Sequence, residues 1–521
     1  MSGVVDVESG RVRGVQRHDL WSFSGIPYAA SPEGPRRWRP PAAPEPWAGV
    51  RACDHFGPIA PQAPGLVELS LGGAPEEQDE DCLTLNIWTP GLDGARRPVM
   101  VWVHGGSYVS GSGAGGLYRG GTLARQGDVV VVTINYRLGL LGFLAHPALE
   151  DPGQTWLGDE KWSGFGNWGL ADQVTALRWV RDHIADFGGD PGNVTLFGES
   201  AGGMSVSTLL AVPAARGLFH RAVVQSGPPY TYTADKASSR AEELAEHLGV
   251  PMTREALERV PADQLVRAAV EFGEVTAKRS EAGLLMMPVV DGGLVPADPA
   301  AAVSAGSASD IPLLIGTTRD EWGFFAVGDP TISSLDHDGL RRRVGRLIPD
   351  RGTVDTLIAR VTEARAERRE PITVRDLWVA MATEFVFRLP TVRFADAHAS
   401  AAMPGVGTYS YLFTWESPMF GGYLGSCHAL EIPFVFGTVH NPAIQGFSGG
   451  GEEAMALSAA MRGAWTTFAR TGSPDGWSTW DVETHPTEVF GPWPGSEGVE
   501  RRVDRPRHEE LDAMAHAVPI R

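Results

Sequence analysis

A serine flanked by glycines is the first feature of this chain that could perform chemistry. The pentapeptide 198–202, GESAG, follows an apolar stretch at 193–197 that is typical of a buried strand, and small residues that favour a helix come after it. This strand–turn–helix context is the one in which G-x-S-x-G forms a nucleophile elbow, with Ser200 on a sharp turn. Glycines two positions either side let the strand and the helix pass close together. A glycine-rich turn with an exposed serine is the alternative in a chain with 64 glycines.

A second glycine motif, His104-Gly105-Gly106, follows directly on a predicted buried strand at 99–103. Backbone N–H groups at such a turn can point at a substrate oxygen and stabilise negative charge there, as in an oxyanion hole. The start of the helix behind Ser200 would add further N–H groups. An ordinary turn after a strand is the alternative for this motif taken alone.

A serine hydroxyl is a weak nucleophile and needs a neighbouring base. When the serine lies on a nucleophile elbow, the acid follows it in the chain and the histidine follows the acid. Two carboxylates and two histidines lie after predicted strands in this order: Asp320 and Glu321 after the strand 311–317, and His428 and His440 after the strand 409–413. The residues alone do not decide within either pair.

Alternating strands and helices predict an α/β fold with a central, mostly parallel sheet flanked by helices. Further strands are predicted at 4–7, 12–16, 21–26, 129–135 and 223–226, and helices at 169–187 and 453–471. The segments 231–305 and 336–402 are predicted to be helical insertions over the active site. The proline-rich segment 31–66 is predicted to be an ordered surface loop, with Trp38 and Trp47 exposed.

Composition and charge argue against several classes of function. The 521 residues carry a formal net charge of −19, which argues against nucleic acid or an anionic membrane as the main partner. No apolar run is long enough for a transmembrane helix, and the first residues do not resemble a secretory signal, so we expect a cytoplasmic protein. Three cysteines do not make a disulfide framework. We expect one catalytic domain over residues 1–521, as a monomer or a small homo-oligomer.

Taken together, the motifs resemble those of the type-B carboxylesterases, the cholinesterase-like α/β hydrolases, and within them the bacterial branch that includes para-nitrobenzyl esterases. The resemblance spans nearly the whole chain. Its motifs are EDCL at 80–83, HGG at 104–106, NYRLG at 135–139, GNWGLADQ at 166–173, FGGDP at 187–191, FGESAGG at 197–203, QSG at 225–227, GTTRDE at 316–321 and HALEIPFVFG at 428–437.

The resemblance implies an α/β-hydrolase fold and a serine carboxylesterase that hydrolyses short to medium acyl or aryl esters through an acyl-enzyme intermediate. It implies a catalytic triad of Ser200, Glu321 and His428. The other implied site residues are the oxyanion-hole donors Gly105, Gly106 and Ala201 and the supporting polar residues Glu199 and Ser226. A small-molecule ester is the implied partner, and neither a metal nor an organic cofactor is implied. Carbamate hydrolysis or acyl transfer on the same site, and a non-catalytic binding module, are the alternatives.

The chain departs from the resembled family in one loop. Some members close the loop before EDCL with a disulfide, but Ala60 stands where their first cysteine would be, which leaves a bridge between Cys53 and Cys82 as an open question. The loop 61–79 also lacks the aromatic residue with which cholinesterases hold a quaternary ammonium, so choline esters are not expected as preferred substrates. We expect Cys427 to pack in the core rather than to act as a nucleophile.

The loops after the strands, at 61–79, 105–118, 278–290 and 320–328, are expected to form the walls of the substrate pocket. Six apolar residues are candidates for contact with the acyl or alcohol group, with core packing as the alternative for each: Met286, Met287, Phe324, Phe325, Phe385 and Phe387.

Overall fold

A mixed sheet of eleven strands forms the centre of this computed structural model, which describes residues 3–65, 76–150, 153, 155–156, 160–278, 284–348, 351–492 and 502–504. In chain order its strands are β1 (Val15–Arg17), β2 (Leu20–Pro27), β3 (Thr84–Thr89), β4 (Arg97–Val103), β5 (Val130–Ile134), β6 (Gly189–Glu199), β7 (Arg221–Gln225), β8 (Leu313–Thr318), β9 (Thr408–Phe413), β10 (Thr487–Phe490) and β11 (Arg502–Asp504). Across the sheet their order is β11-β10-β9-β8-β7-β6-β4-β5-β3-β2-β1. The strands from β10 to β5 run parallel, and those beyond them at both edges are antiparallel.

The central strands are buried on both faces, as expected of parallel strands that carry helices on either side. Every residue of β5, β8 and β9 is buried. On β4, Val101 and Val103 belong to one apolar cluster, whereas Met100 and Trp102 belong to another. Because successive side chains of a strand point to opposite faces, these clusters are the two layers of core that sandwich the sheet.

The helices cover the sheet and surround its carboxyl edge. In chain order they are α1 (Gly121–Gly127), α2 (Gly139–Phe143), α3 (Trp168–His183), α4 (Ala201–Leu209), α5 (Ala234–Leu248), α6 (Arg254–Glu258), α7 (Ala262–Lys278), α8 (Pro299–Ser304), α9 (Trp322–Val327), α10 (His337–Leu347), α11 (Val354–Glu367), α12 (Val374–Thr383), α13 (Leu389–Ala401), α14 (Ile432–Phe436), α15 (Pro442–Ser448) and α16 (Gly451–Thr471). The segment 231–305 contains α5 to α8, and the segment 336–402 contains α10 to α13. A π-helical turn, Glu384–Arg388, joins α12 to α13.

The prediction of a single strand at 12–16 is wrong. Gly10–Arg13 belongs to a separate small sheet, and β1 begins only at Val15. The chain changes sheet at Gly14, where an added Cβ would lie 2.7 Å from the ring of Phe23 and from the carbonyl oxygen of Ser22. The strands outside the main sheet are Val4–Val7, Gly10–Arg13 and Val50–Ala52 in one sheet, Thr155–Trp156 with Glu160–Lys161, and Tyr232–Thr233 with Val289–Val290.

A buried ion pair and a buried tryptophan hold the segment that follows β5. Arg137 donates from Nε and Nη2 to the two carboxylate oxygens of Asp172 at 2.8 and 2.7 Å, and both side chains are almost inaccessible to solvent. The expectation that Trp38 is exposed is wrong, because this residue is fully buried and donates from Nε1 to the carbonyl oxygen of Leu140 at 2.8 Å. Together these contacts fix residues 138–141, which line a cavity of about 480 Å³.

Removal of the Asp172 carboxylate tests this support. In Asp172→Ala the guanidinium of Arg137 stays buried without its counter-ion, which costs about 3–5 kcal/mol. Thermal denaturation followed by circular dichroism is expected to show a Tm lower than that of the wild type by several degrees. Asp182→Ala, which removes a carboxylate that pairs with Arg181 at 2.7 Å on the surface, is the matched control and should change the Tm little. Equal Tm values for the two variants would contradict the account.

Candidate active site

Ser200 occupies the turn between β6 and α4. Its backbone dihedral angles, φ 56° and ψ −126°, lie in a region that residues with a side chain rarely adopt. The neighbouring glycines permit this turn, because an added Cβ on Gly202 would lie 2.0 Å from the Val103 carbonyl oxygen. An added Cβ on Gly198 would lie 2.6 Å from the carbonyl carbon of Gly202. The turn therefore has the strained, closely packed geometry of a nucleophile elbow.

His428 and Glu321 form a buried pair at the carboxyl ends of β9 and β8. His428 Nδ1 lies 2.5 Å from Glu321 Oε2. The other carboxylate oxygen of Glu321, Oε1, accepts hydrogen bonds from the Ser226 hydroxyl at 2.5 Å and from the Thr318 N–H at 2.7 Å. A carboxylate that receives these donors acts as an acceptor throughout, so Nδ1 of His428 carries a proton and donates it. Nε2 is then the nitrogen that is left to accept a proton.

The Nε2 side of the imidazole faces a second carboxyl group. Glu199 Oε1 lies 3.1 Å from His428 Nε2, without the alignment of a hydrogen bond. Burial raises the pKa of Glu199, although the charge of His428 opposes that rise. Burial would lower the pKa of His428, but the carboxylates of Glu199 and Glu321 raise it above its usual value. Ser200 lines the same cavity as His428, although Nε2 of His428 makes no hydrogen bond among the described residues. In structures without substrate, catalytic hydrogen bonds are often long and tighten only when substrate binds.

Two aromatic rings enclose the imidazole of His428. The ring centroid of Phe325 lies 5.1 Å from that of His428, and the centroid of Phe387 lies 4.9 Å from it. Phe387 is carried by the π-helical turn, which Arg388 ties to the end of β8 through a hydrogen bond to the Thr318 carbonyl oxygen at 3.0 Å. Single π-turns inside helices are frequent at functional sites, and here the turn places a ring against the imidazole.

The glycine turn after β4 lies directly beside the serine. An added Cβ on Gly105 would lie 3.0 Å from Cβ of Ser200, and Gly106 has a φ of 112°. Among the described residues, the backbone N–H groups of Gly105, Gly106 and Ala201 donate to no hydrogen-bond acceptor. Three N–H groups without an acceptor in this part of the chain, grouped around one serine, are suited to bind an anionic oxygen.

Gln62 is a site residue that the sequence did not reveal. Its side chain is 8% exposed and forms a two-way contact with the backbone of Gly111: Nε2 donates to the carbonyl oxygen at 3.0 Å, and Oε1 accepts from the N–H at 2.7 Å. Gly111 packs so tightly that an added Cβ would lie 2.4 Å from the Gly105 carbonyl oxygen. Gln62 thereby holds in place the turn that carries the N–H groups of Gly105 and Gly106. A lone glutamine in a proline-rich loop gives no signal for such a role.

A third buried carboxyl group, Glu431, lies close to the histidine. Its Oε1 accepts a hydrogen bond from Gln225 Nε2 at 3.1 Å, and Gln225 Oε1 accepts in turn from Trp465 Nε1 at 3.1 Å. Burial raises the pKa of Glu431, and the charge of Glu321 adds to the rise. The sequence contains this residue in a motif, but nothing in its pattern indicated that it would be buried beside the triad.

A cavity of about 480 Å³ opens onto Ser200, Glu199 and His428. Its remaining wall is largely apolar and comes from the segment after β5, from α7, from α9 and from the residues after His428: Leu138, Leu140, Leu141, Leu265, Val266, Ala269, Val270, Leu285, Phe324, Phe325, Ala429 and Ile432. Among the described lining residues, Glu199 and His428 are the ones that can carry a charge near neutral pH. The cavity is therefore suited to an uncharged apolar molecule.

The six apolar residues proposed for the pocket lie in different surroundings in the structure. Phe324 and Phe325 line the cavity, and Phe387 packs against His428. Three others lie in apolar clusters and are not among the described lining residues, so their prediction as pocket residues is corrected to core packing: Met286, Met287 and Phe385. The parts of the predicted wall at 66–75 and 279–283 lie outside the described residues.

The rival triad candidates have other partners. Asp320 pairs with Arg319 at 2.8 Å and accepts a hydrogen bond from the Ser426 N–H at 2.9 Å. His440 Nδ1 lies 2.7 Å from the Gly437 carbonyl oxygen, and His440 does not line the cavity. All three cysteines are free and buried, so Cys53 and Cys82 do not form a disulfide.

The described residues contain neither a cluster of metal ligands nor a helix that could span a membrane. No group of three or more His, Cys, Asp or Glu side chains in this part of the chain is arranged to hold a metal ion. Likewise, none of the described helices combines the length and the apolar character needed to cross a membrane.

Comparisons with known proteins agree over almost the whole chain. A family model described as the carboxylesterase family matches residues 1–497. The para-nitrobenzyl esterase of Bacillus subtilis (strain 168) is 37% identical over 494 residues, which cover 94% of this chain and 94% of that protein. The liver carboxylesterase of Sus scrofa is 34% identical over 522 residues, which cover 92% of this chain and 88% of that protein. The crystal structure of the Geobacillus stearothermophilus carboxylesterase EST55 matches with a TM-score of 0.82 and 38% identity, covering 98% of this chain and 99% of that one.

The contact between Glu199 and His428 predicts a shift in pH dependence. An imidazole must be neutral to accept a proton, so kcat/KM for an ester should fall as the pH drops below the pKa of His428. Glu199→Gln removes negative charge beside Nε2, which lowers that pKa. The acidic limb of the kcat/KM profile for p-nitrophenyl acetate is therefore expected to move to lower pH, by up to roughly one unit.

Glu416→Gln is the control for this measurement. Glu416 is an exposed carboxylate that pairs with Arg319 at 2.6 Å, and its loss should leave the acidic limb in place. A limb that moves to higher pH in Glu199→Gln, or that moves equally in both variants, would contradict the proposed contact.

Proposed function

We propose that this chain, which belongs to the carboxylesterase family and has the α/β-hydrolase fold, uses Ser200 as the nucleophile of a two-step acyl transfer. The protein is a carboxylic ester hydrolase, as its relatives are. One observation carries the mechanistic proposal: one cavity is bordered by a serine on a strained turn, by a histidine oriented by Glu321, and by Gly105 and Gly106, whose N–H groups have no acceptor among the described residues. A purely structural serine turn has no need of the other two features.

In the first step, His428 Nε2 accepts the proton of the Ser200 hydroxyl while Oγ attacks the ester carbonyl carbon. Glu321 holds the imidazole in the required tautomer and stabilises the imidazolium that forms. The N–H groups of Gly105, Gly106 and Ala201 donate to the oxyanion of the tetrahedral intermediate. His428 then gives its proton to the leaving alcohol, and the acyl group remains on Ser200.

In the second step, water takes the place of the alcohol. His428 accepts a proton from the water as it attacks the acyl-enzyme, and Ser200 leaves with the proton that His428 returns. Ser226 supports both steps as a positioning residue, because its hydroxyl donates to the carboxylate that holds the base. Glu199 supports them by facing Nε2, where negative charge stabilises the protonated imidazole.

We propose uncharged esters with short to medium acyl or aryl groups as the substrates. The apolar wall of the cavity favours such molecules, and its described residues offer no fixed cation for a carboxylate. The name of the Bacillus relative, para-nitrobenzyl esterase, indicates for that protein an ester whose alcohol part carries an aromatic ring. Three free, buried thiols accord with a cytoplasmic location, where cysteines stay reduced.

Replacement of the nucleophile tests the proposal. Initial rates on p-nitrophenyl esters from acetate to decanoate are expected to be measurable for the wild type and to fall by at least about 10⁴-fold in Ser200→Ala. Brief incubation with p-nitrophenyl acetate should leave one acyl group on Ser200, which mass spectrometry of the tryptic peptides can locate. Ser304→Ala, at an exposed serine of α8, should retain full activity. Turnover that survives in Ser200→Ala would rule out the assigned nucleophile.

A further inference from the structure

Helix α7 presents one stripe of small and apolar residues to the active-site cavity. The residues of this stripe recur at the spacing of neighbouring helical turns: Leu265, Val266, Ala269, Val270 and Gly273. The helix is anchored to the main core through Leu265, Ala269 and Phe272. Val270 is 47% exposed, so this end of the stripe lies where the cavity meets solvent. A helix anchored in this way is a fixed wall, and the sizes of its residues set the width of the cavity beside it.

Gly273 is an unexpected residue for this position. Glycine is a poorer helix former than any residue except proline, because it loses the most backbone freedom when a helix forms. Gly273 lies inside a helix of 17 residues, and its φ is not positive, so the backbone does not require glycine there. Close packing does not require it either. Among the described residues, an added Cβ would meet one neighbour, Cδ2 of Leu285, at 3.8 Å, which is an ordinary contact.

This situation differs from that of the glycines at the nucleophile elbow. At Gly198 and Gly202 an added Cβ would lie 2.6 and 2.0 Å from backbone atoms, so those positions exclude every other residue. At Gly273 the missing side chain instead leaves space that no described residue fills and that belongs to the cavity. The space is bordered by the aliphatic side chains of Val270 and Leu285, which favour an uncharged apolar occupant.

We propose that Gly273 is a specificity-determining residue, and that the space it leaves takes the distal part of a long or bulky apolar acyl or alkoxy group. The inference rests on the proposed ester hydrolysis at Ser200 and extends it to the shape of the substrate. Small esters do not fill this space, so their turnover should not depend on residue 273. Larger esters gain apolar contact there, so their turnover should decrease when a side chain occupies it.

The test uses kcat/KM for p-nitrophenyl acetate and p-nitrophenyl decanoate in Gly273→Ala and Gly273→Phe. The ratio of decanoate to acetate is expected to fall by at least about 10-fold in Gly273→Phe, since the loss of one or two methylene contacts in an apolar pocket has effects of this size. Gly273→Ala should lower the ratio less. It should also raise the Tm by roughly 1 °C, because alanine favours the helix.

Gly463→Ala is the matched control. Gly463 also lies inside a helix, α16, where an added Cβ would meet nothing within 4 Å, but it is exposed and does not line the cavity. This variant should show a similar rise in Tm with no change in the decanoate-to-acetate ratio. Such a result would separate the effect of helix stability from that of the filled space.

The outcomes distinguish this inference from the function on which it rests. If acetate is hydrolysed in a reaction that Ser200→Ala abolishes, while Gly273→Phe folds with the wild-type ratio, the role of Gly273 is overturned and the esterase proposal stands. If Gly273→Phe does not fold, an unchanged ratio in Gly273→Ala overturns it equally. If the wild type hydrolyses no ester in the series, the proposed function itself fails.

Discussion

The carboxylate of Glu321 connects His428, the proposed catalytic base, to the sheet. It accepts hydrogen bonds from three groups that three neighbouring parallel strands supply: the hydroxyl of Ser226 after β7, the N–H of Thr318 at the end of β8, and Nδ1 of His428 after β9. A buried anion is stable only when such donors surround it. Because a slip of one residue reverses the face of every side chain, the register of these strands decides whether the donors converge.

The nucleophile depends on a different constraint, which is close backbone approach. The strained turn of Ser200 carries a conformational cost of about 1–3 kcal/mol, which the packing of β6 and α4 into the sheet must offset. Glycines at 198 and 202 allow that packing, and Gly105 brings the oxyanion turn against the serine. Gln62 holds the same turn from the far side through Gly111. The base and the nucleophile are thus positioned by separate parts of the molecule that meet in one apolar cavity.

Much of this arrangement could be predicted from the sequence, because the strands and the serine turn are each marked by a pattern of neighbouring residues. The buried parallel strands are apolar runs, and the glycines of the elbow recur at a fixed spacing around Ser200. The choice of Glu321 over Asp320, and of His428 over His440, needed the family resemblance, since either member of each pair follows a strand. Contacts between distant segments had no such signal.

The incorrect predictions have the same physical origin. Trp38 looked exposed because its neighbours are prolines and arginines, but a tertiary contact with Leu140 buries it. Met286 and Phe385 have large apolar side chains, which suit a pocket and a core equally. Their burial in core clusters depends on how the helices pack. The predicted strand 12–16 is wrong at Gly14, where the chain changes sheet and passes too close to the ring of Phe23 for a side chain.

The measurement that tests the central claim most directly is the steady-state kinetics of Glu321→Gln on p-nitrophenyl acetate. An amide of nearly the same shape cannot accept all three hydrogen bonds as a carboxylate does, and it does not stabilise an imidazolium. The account predicts that kcat falls by roughly 10⁴-fold with KM little changed, while the protein remains folded by circular dichroism. A folded variant with kcat within ten-fold of the wild type would contradict the claim that Glu321 orients the base.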